Sequence, residues 1–409
     1  MYPRIRDFRL LVTNRFLLTF GVQMMGVTVS WQAYQLTHDP LTLGFLGLAE
    51  ALTYIGSALL AGHTADRLEK RRIILSAQSV LFVSVLGLLL LSWGGNTRMG
   101  PVYAVVALTG IARAFLWSAS ISYAELIVPK EHYRKAAALT SSSWEIGTML
   151  GPAVGGLLYG LAGANLSYLV AASVVAGALA TGSRLGKVHP PQSADEGLWR
   201  SLATGVRFVF GHQVILGALV LDMVAVLFGG VVAILPVFAE LLRTGPAGLG
   251  LLRAAQSAGA LTMALLQSRR PAFLHAGKSL FLAVALFGLC ILGFAVSRNF
   301  ALSFLLLAAA GMADNVSVVI RASILQAATP DRMRGRVAAV NGIFIGSSNE
   351  LGAFESGLAA RLLGATRSVI LGGVMTLIAV GTVAWRFPRL RRLGSIASLA
   401  TPVPDRPPG

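Results

Sequence analysis

The stretch that decides the fold is Pro129–Gly156, PKEHYRKAAALTSSSWEIGTMLGPAVGG, because the chain echoes it at Pro330–Gly357, PDRMRGRVAAVNGIFIGSSNELGAFESG. From 129 to 330 the offset is 201 residues. At that offset the proline, an Ala-Ala pair, Leu150-Gly151 with Leu351-Gly352, and Gly156 with Gly357 coincide. Each copy begins with a proline, passes through a basic turn and enters a helix of small residues. Those helices also carry acids: Glu145 in the first, Glu350 and Glu355 in the second. The chain therefore reads as two related halves with carboxylates inside apolar helices.

Composition says what surrounds the two copies. Of 409 residues, 55% are hydrophobic and 12% charged, and the mean hydropathy is +0.71. A soluble domain carries about 25% charged residues. Twelve apolar segments run at 15–36, 41–62, 72–95, 101–127, 136–162, 165–184, 212–241, 246–267, 278–297, 300–327, 337–363 and 366–387. Each is near the ~20 residues that cross a bilayer as a helix. The expected fold is an all-α membrane protein: twelve transmembrane helices in two pseudo-symmetric six-helix bundles. The first bundle is 1–184 and the second 212–387. Between them, 185–211 is a linker. Its Leu198, Trp199, Leu202, Val206 and Val209 fall at helical spacing, as in a helix lying on the membrane surface. The basic, proline-rich tail 388–409 reads as disordered and drawn to anionic lipid. The N-terminus lacks the short apolar core of a cleaved signal peptide. The one cysteine, Cys290, lies in an apolar run and reads as packing.

The net charge of +17 is explained by topology. With the N-terminus in the cytoplasm, 26 of the 34 Lys and Arg residues fall in the N-terminal stretch, alternate loops, the linker and the tail. Five fall on the other side and three within spans. That is the positive-inside pattern, with both termini cytoplasmic. It leaves no excess to argue for nucleic acid as a partner.

Charges inside the membrane are costly and mark function or pairing. They are Glu50 in span 2, Arg113 in span 4, Glu145 in span 5, Asp222 in span 7, Arg253 in span 8, Asp314 and Arg321 in span 10, and Glu350 and Glu355 in span 11. Spans 3, 6, 9 and 12 have none in their interiors, so they are expected to face lipid while the others line a polar centre. Arg113 and Asp314 are themselves 201 residues apart. They are expected at equivalent depth near the midplane, where repeat-built transporters place their sites. Arg113 is expected to neutralise Glu50 or Glu145. Arg253 and Arg321, nearer helix ends, are expected to snorkel toward the interface. Pro236, after Gly229-Gly230, is expected to bend span 7.

Twelve spans, six and six, with an internal repeat, resemble the major facilitator superfamily. Two motifs carry the resemblance. Gly62-His-Thr-Ala-Asp66-Arg67-Leu-Glu-Lys-Arg71-Arg is similar to the loop 2–3 signature G-x-L-A-D-R-x-G-R-K, with Thr64 and Glu69 as departures. The resemblance implies that Gly62, Asp66, Arg67 and Arg71 latch the halves. Gly147-x-x-x-Gly151-Pro152-x-x-Gly155-Gly156 is similar to the G-x-x-x-G-P-x-x-G-G of exporters in this superfamily. Its glycines let span 5 press on a neighbour, and Pro152 bends it. Arg113 sits where such exporters carry a span 4 arginine. Arg321-Ala-Ser-Ile-Leu-Gln-Ala-Ala-Thr-Pro330-Asp-Arg-Met-Arg-Gly-Arg-Val and Leu235-Pro-Val-Phe-Ala resemble the branch holding the enterobactin exporter and macrolide efflux proteins.

The expected function is a secondary exporter of an amphipathic small molecule, a siderophore-like metabolite or a drug. It would sit in the bacterial cytoplasmic membrane, work as a monomer, use the proton gradient and need no cofactor or metal. Gln23, Trp31, Gln32 and Trp117 are the expected substrate-cavity residues; Asp314, Arg113, Glu350, Asp222, Glu50, Glu145 and Glu355 the expected coupling charges. An uptake symporter and a non-transporting scaffold are the alternatives. An enzyme is disfavoured, since there is no P-loop, no paired metal ligands and no mid-span histidine.

Overall fold

The computed structural model describes residues 5–129, 132–188, 198–268, 273–330 and 333–399. Among them the regular elements are helices: α1 (Ile5–Thr37), α2 (Pro40–Arg67), α3 (Lys70–Trp93), α4 (Met99–Ile127), α5 (Tyr133–Gly182), α6 (Leu198–Gly211), α7 (Gln213–Gly229), α8 (Leu235–Leu241), α9 (Gly245–Ser268), α10 (Ala276–Val296), α11 (Phe300–Ala328), α12 (Arg334–Leu363), α13 (Ala365–Arg386) and α14 (Pro388–Arg391).

The duplication is written into the backbone. The helices α4 and α11 begin and end 201 residues apart, and α5 and α12 begin 201 apart. Gly163 (φ +78°) breaks α5, and Gly364 (φ +86°), its repeat partner, ends α12. Both take the left-handed conformation that a Cβ disfavours. Next to each break a serine ties the two antiparallel segments together. Ser167 donates to the Gly155 carbonyl at 3.1 Å, and Ser368 to the Ser356 carbonyl at 3.4 Å.

Among the described residues, ten helical runs are long and apolar enough to cross a membrane. One of them is α5, which the break at Ala162-Gly163 divides into the expected spans 5 and 6. The remaining expected span, α12, is long enough but too polar to qualify on composition, because it holds Asn341, Ser347, Ser348, Asn349, Glu350 and Glu355. Span 7 is α7, a short 3-10 turn and α8. Pro236 lies in the first turn of α8, where its missing N–H costs nothing. The expected proline bend is thus a helix start, and the interruption lies at Gly230.

The helices without a charge in their interiors, α3, α10, α13 and the second part of α5, carry large exposed apolar side chains, among them Val83, Leu169, Leu282 and Ile378. That is the surface a bilayer requires. The two halves meet through α5 against α9 and α2 against α12. Small residues allow backbone contact. A Cβ on Gly156 would lie 2.9 Å from the Gly250 Cα, and one on Gly357 2.7 Å from the Gly44 Cα. These contacts lie at the face opposite the chain termini, which we term the far face. There Arg361 Nη1 also pairs with Asp39 Oδ2 at 2.8 Å, and His38 Nδ1 lies 3.9 Å from Glu240 Oε1. Toward the terminal face the same helices part. Nothing lies within 4 Å of a Cβ placed on Gly56 or Gly62 of α2, or on Gly335 or Gly342 of α12. The seam is closed at the far face, and α2 and α12 leave open space toward the terminal face.

Two peripheral expectations change. The linker helix is present as α6, with Val209 fully buried and Gly205 against Arg336 of α12; residues 189–197 lie outside the described residues. The tail, expected to be disordered from 388, is packed up to 399. Leu390 is fully buried, and the Ala276 and Gly277 amides bond to the Gly394 and Leu393 carbonyls. Gly217 and Gly277 provide the room for this turn by lying flat against Phe387 and Leu390. Residues 400–409 lie outside the described residues.

Candidate functional site

The first layer below the far-face seal is ionic. Gly47 of α2 touches Ala353 of α12. One turn further along each helix are Glu50 and Glu350. Arg113 of α4 lies between them: its Nη1 donates to Glu50 Oε1 and sits 3.7 Å from Glu350 Oε1. Another turn on, Tyr54 meets Gly346, whose Cβ position is 3.0 Å from the ring. Thus one guanidinium serves two carboxylates, and only Glu350 belongs to the second half. Glu50 and Glu350 are largely buried and Arg113 is partly exposed, so the two carboxylates depend on the guanidinium between them. A proton gained or lost at either carboxyl alters the bond between the halves.

The second cluster lies inside the C-terminal half. Asp222 of α7 pairs with Arg321 Nη1 of α11, with 9% and 7% of their side chains exposed. Asp314, two turns up α11, lines a small cavity together with Asp222, Phe287 and Ser317. Again two acids accompany one arginine. Arg113 and Asp314 therefore sit at matching depth but in separate clusters. Glu145 of α5 is close enough to Asp314 for the charges to interact across the halves. Glu355 stands apart, half-buried beside Ser356.

Both arginines expected to snorkel do otherwise. Arg321 is 5% exposed because Asp222 offers a carboxylate nearer than water. Arg253 of α9 turns toward α1, with Nη2 3.2 Å from Ser30 Oγ and Glu50 as its electrostatic neighbour. The expected choice for Arg113 resolves to Glu50. Glu350 is the partner that sequence reasoning missed, since a contact between halves leaves no trace in the repeat offset.

The four expected cavity residues separate. Gln32 is pinned between α3 and the second part of α5, donating to Ser92 Oγ at 3.0 Å and accepting from the Tyr168 hydroxyl at 2.9 Å. That removes it from the cavity, because its amide completes a hydrogen-bond chain inside the first bundle. Trp31 is 6% exposed within the apolar core. Gln23 packs its Cβ on Gly151. Trp117 alone of the four is markedly exposed, at 47%, one turn below Arg113 on α4. Its ring meets Trp144 of α5 edge-on, with centroids 6.1 Å apart. The Arg15 guanidinium lies over both indoles. Neither Arg15 nor Trp144 was singled out for the site, although each is legible as a polar or aromatic residue inside an apolar run.

The glycine motif of α5 has two faces. Gly147, Gly151 and Gly155 take Thr19, Phe20, Met24 and Val27 of α1, whereas Gly156 and the Pro152 carbonyl meet Gly250 of α9. The motif therefore builds the first bundle and also seals it to the second. In the loop 2–3 motif, Arg71 Nη2 donates to the Ser183 carbonyl at the end of α5. Glu69, where the signature has glycine, is buried, pairs with Arg72 at 3.0 Å and has φ −57°. No left-handed turn is needed there, which is why glutamate is accommodated. Arg67 is exposed, Gly62 faces open space, and the side chain of Asp66 lies outside the described residues.

The family model described as Major Facilitator Superfamily matches residues 11–353. The chain belongs to the major facilitator superfamily. Among curated relatives, the "Enterobactin exporter EntS" of Shigella boydii serotype 18 is 28% identical over 380 residues, covering 91% of this chain and 86% of the relative. Its counterpart in Escherichia coli O81 gives the same identity and coverage. Among solved structures, a POT family transporter in complex with a thioalcohol-conjugated peptide superposes with TM-score 0.76 at 12% identity, covering 94% of this chain and 96% of that one. Within this superfamily fold, the ion clusters occupy the seam and the second bundle, and the chain is a multi-pass membrane transporter.

Proposed function

We propose that the chain is a secondary exporter of an amphipathic small molecule across the bacterial cytoplasmic membrane. It works by alternating access and is driven by protons moving the other way. The observation that carries this reading is the Glu50–Arg113–Glu350 cluster, placed where the halves begin to part. Protonation of Glu350 releases a bond between the bundles, so proton movement and rocking become one event. The Lys and Arg distribution supports a cytoplasmic terminal face, and on that reading the space between α2 and α12 opens inward. Direction is argued from the α5 glycine seal and from the relatives named enterobactin exporters. A siderophore-like metabolite is the first substrate class on that ground, with drugs second. A scaffold would have no need of a partly solvated arginine–carboxylate cluster at its seam.

The test compares metabolites in the medium of a deletion strain and its parent under iron limitation. The compound missing from the deletion medium is then added to inverted vesicles holding a proton gradient. Export predicts its loss from the medium of the deletion strain and collapse of the gradient on addition. Faster depletion of the compound from medium by the parent would instead make the protein an uptake system.

A further inference from the structure

The cluster of Arg15, Trp117 and Trp144 is used by neither the far-face seal nor the ion pairs. Three helices bring it together at one level. Arg15 is about ten residues into α1, Trp144 about eleven into α5, and Trp117 about ten from the end of α4, each ~15 Å from the terminal face at 1.5 Å per residue. Trp117 follows Arg113 by one turn, on the side of α4 that Arg113 turns toward Glu350 of the other half. Its 47% exposure therefore opens on the terminal-face side of the cleft, below the ionic layer.

The geometry is that of a corner. The two indoles meet at 75°, and the guanidinium carbon lies 5.8 Å from one ring centre and 5.6 Å from the other. Cation–π attraction holds the guanidinium in place without using its planar N–H donors, of which arginine has five. Arg113 and Arg321 are both held by carboxylates. Among the described residues no carboxylate or hydrogen bond holds Arg15. An unneutralised guanidinium beside a half-bare indole offers two complementary surfaces: a ring face for stacking and a positive fork for an anionic group.

We infer that Arg15, Trp117 and Trp144 form a binding station on the terminal-face side of the cleft for an aromatic ring that carries a negative charge. The inference rests on the exporter reading and narrows it. Such a ring stacks on Trp117 and turns its anionic group to Arg15. Trp144, the second wall of the corner, also holds the guanidinium, so it is a positioning residue. A saturated anion loses the stacking, and an aromatic cation is repelled.

The test is binding of 2-naphthoate to the full-length protein in zwitterionic nanodiscs, with empty discs as background. Decahydro-2-naphthoate controls for the ring and 2-(aminomethyl)naphthalene for the charge. The wild type is expected to bind naphthoate about tenfold more tightly than either control. Arg15→Gln and Trp117→Leu are each expected to weaken it about tenfold, the scale of one aromatic or charge-assisted contact, while Trp117→Phe retains most of the affinity. Equal affinity of wild type and both variants for naphthoate, or equal binding of the saturated acid, overturns the station. If Trp117→Leu fails to fold, the ligand preference of the wild type together with Arg15→Gln decides. Because binding needs no turnover, the two readings separate. Extrusion with variant-independent naphthoate binding removes only the station. Variant-sensitive binding without extrusion removes only the exporter.

Discussion

Removing Arg321 should be the most damaging single charge change in the second bundle, and removing Asp222 with it should repair most of the damage. The pair is 7% and 9% exposed and bridges α7 and α11. Breaking a buried pair by deleting one partner costs about 3–5 kcal/mol, because the other charge stays behind without solvent. Replacing both with apolar groups of similar volume costs little and can stabilise. Arg321→Met strips Asp222 of its cation in a small cavity that Asp314, a second acid, also lines. Asp222→Leu leaves Arg321 two turns from Asp314 on the same helix face, where it gains a substitute. The order of loss is therefore Arg321→Met greater than Asp222→Leu, and the double variant smallest. Stability would be read by denaturant titration in one detergent for all four proteins, as the free energy of the cooperative transition. The coupling energy in the cycle should be about 3 kcal/mol or more, well above the few tenths expected of independent sites. Additive losses in the double variant would refute the pairing. A double variant as stable as the wild type, yet dead in transport, would add a functional role for the pair.

Three further outcomes follow from the seam. Gly250→Leu places a side chain against the Pro152 carbonyl and Gly156, so the far face should fail to close; far-face cysteine probes should label it several-fold faster than the wild type, and an unchanged labelling rate would contradict the seal. Glu350→Gln keeps the Arg113–Glu50 bond while removing the ionisable partner across the halves, so folding should survive and gradient-driven transport should stop. Retained coupling in reconstituted vesicles would move the proton site elsewhere. Arg361→Ala removes a rim pair that is 54% and 32% exposed. Its effect on stability should be at most about 1 kcal/mol and should shrink with added salt; a larger, salt-independent loss would show a buried role for it.

How much was legible beforehand can be argued from particular residues. The Gly147–Gly156 motif announced a close helix contact, and its glycines do make one, on α1 and on α9. The acids of α2, α7, α11 and α12 announced a polar centre, since a charge in an apolar run has to be turned away from lipid. Arg253 and Arg321 were misjudged because position along a helix says how far water is, not whether a partner is nearer. Gln32 was misjudged because a polar residue in a span serves a neighbouring helix as well as a cavity does. Arg15 stands at the start of the first apolar segment, and nothing in its own helix points to Trp117 and Trp144.

The spans, the duplication and the residues that have to be kept from lipid can all be read along the chain. Those follow from transfer free energies and helix length, which are local properties of the chain. Tertiary structure decided the pairings: Arg113 with Glu350, Arg321 with Asp222, Arg253 with Ser30, Gly156 with Gly250. Each joins residues from different helices, most of them across the two halves. No local preference encodes such a meeting. It exists only when two bundles of fixed shape are set against each other, and the Pro129–Gly156 helix is one of the surfaces that sets them.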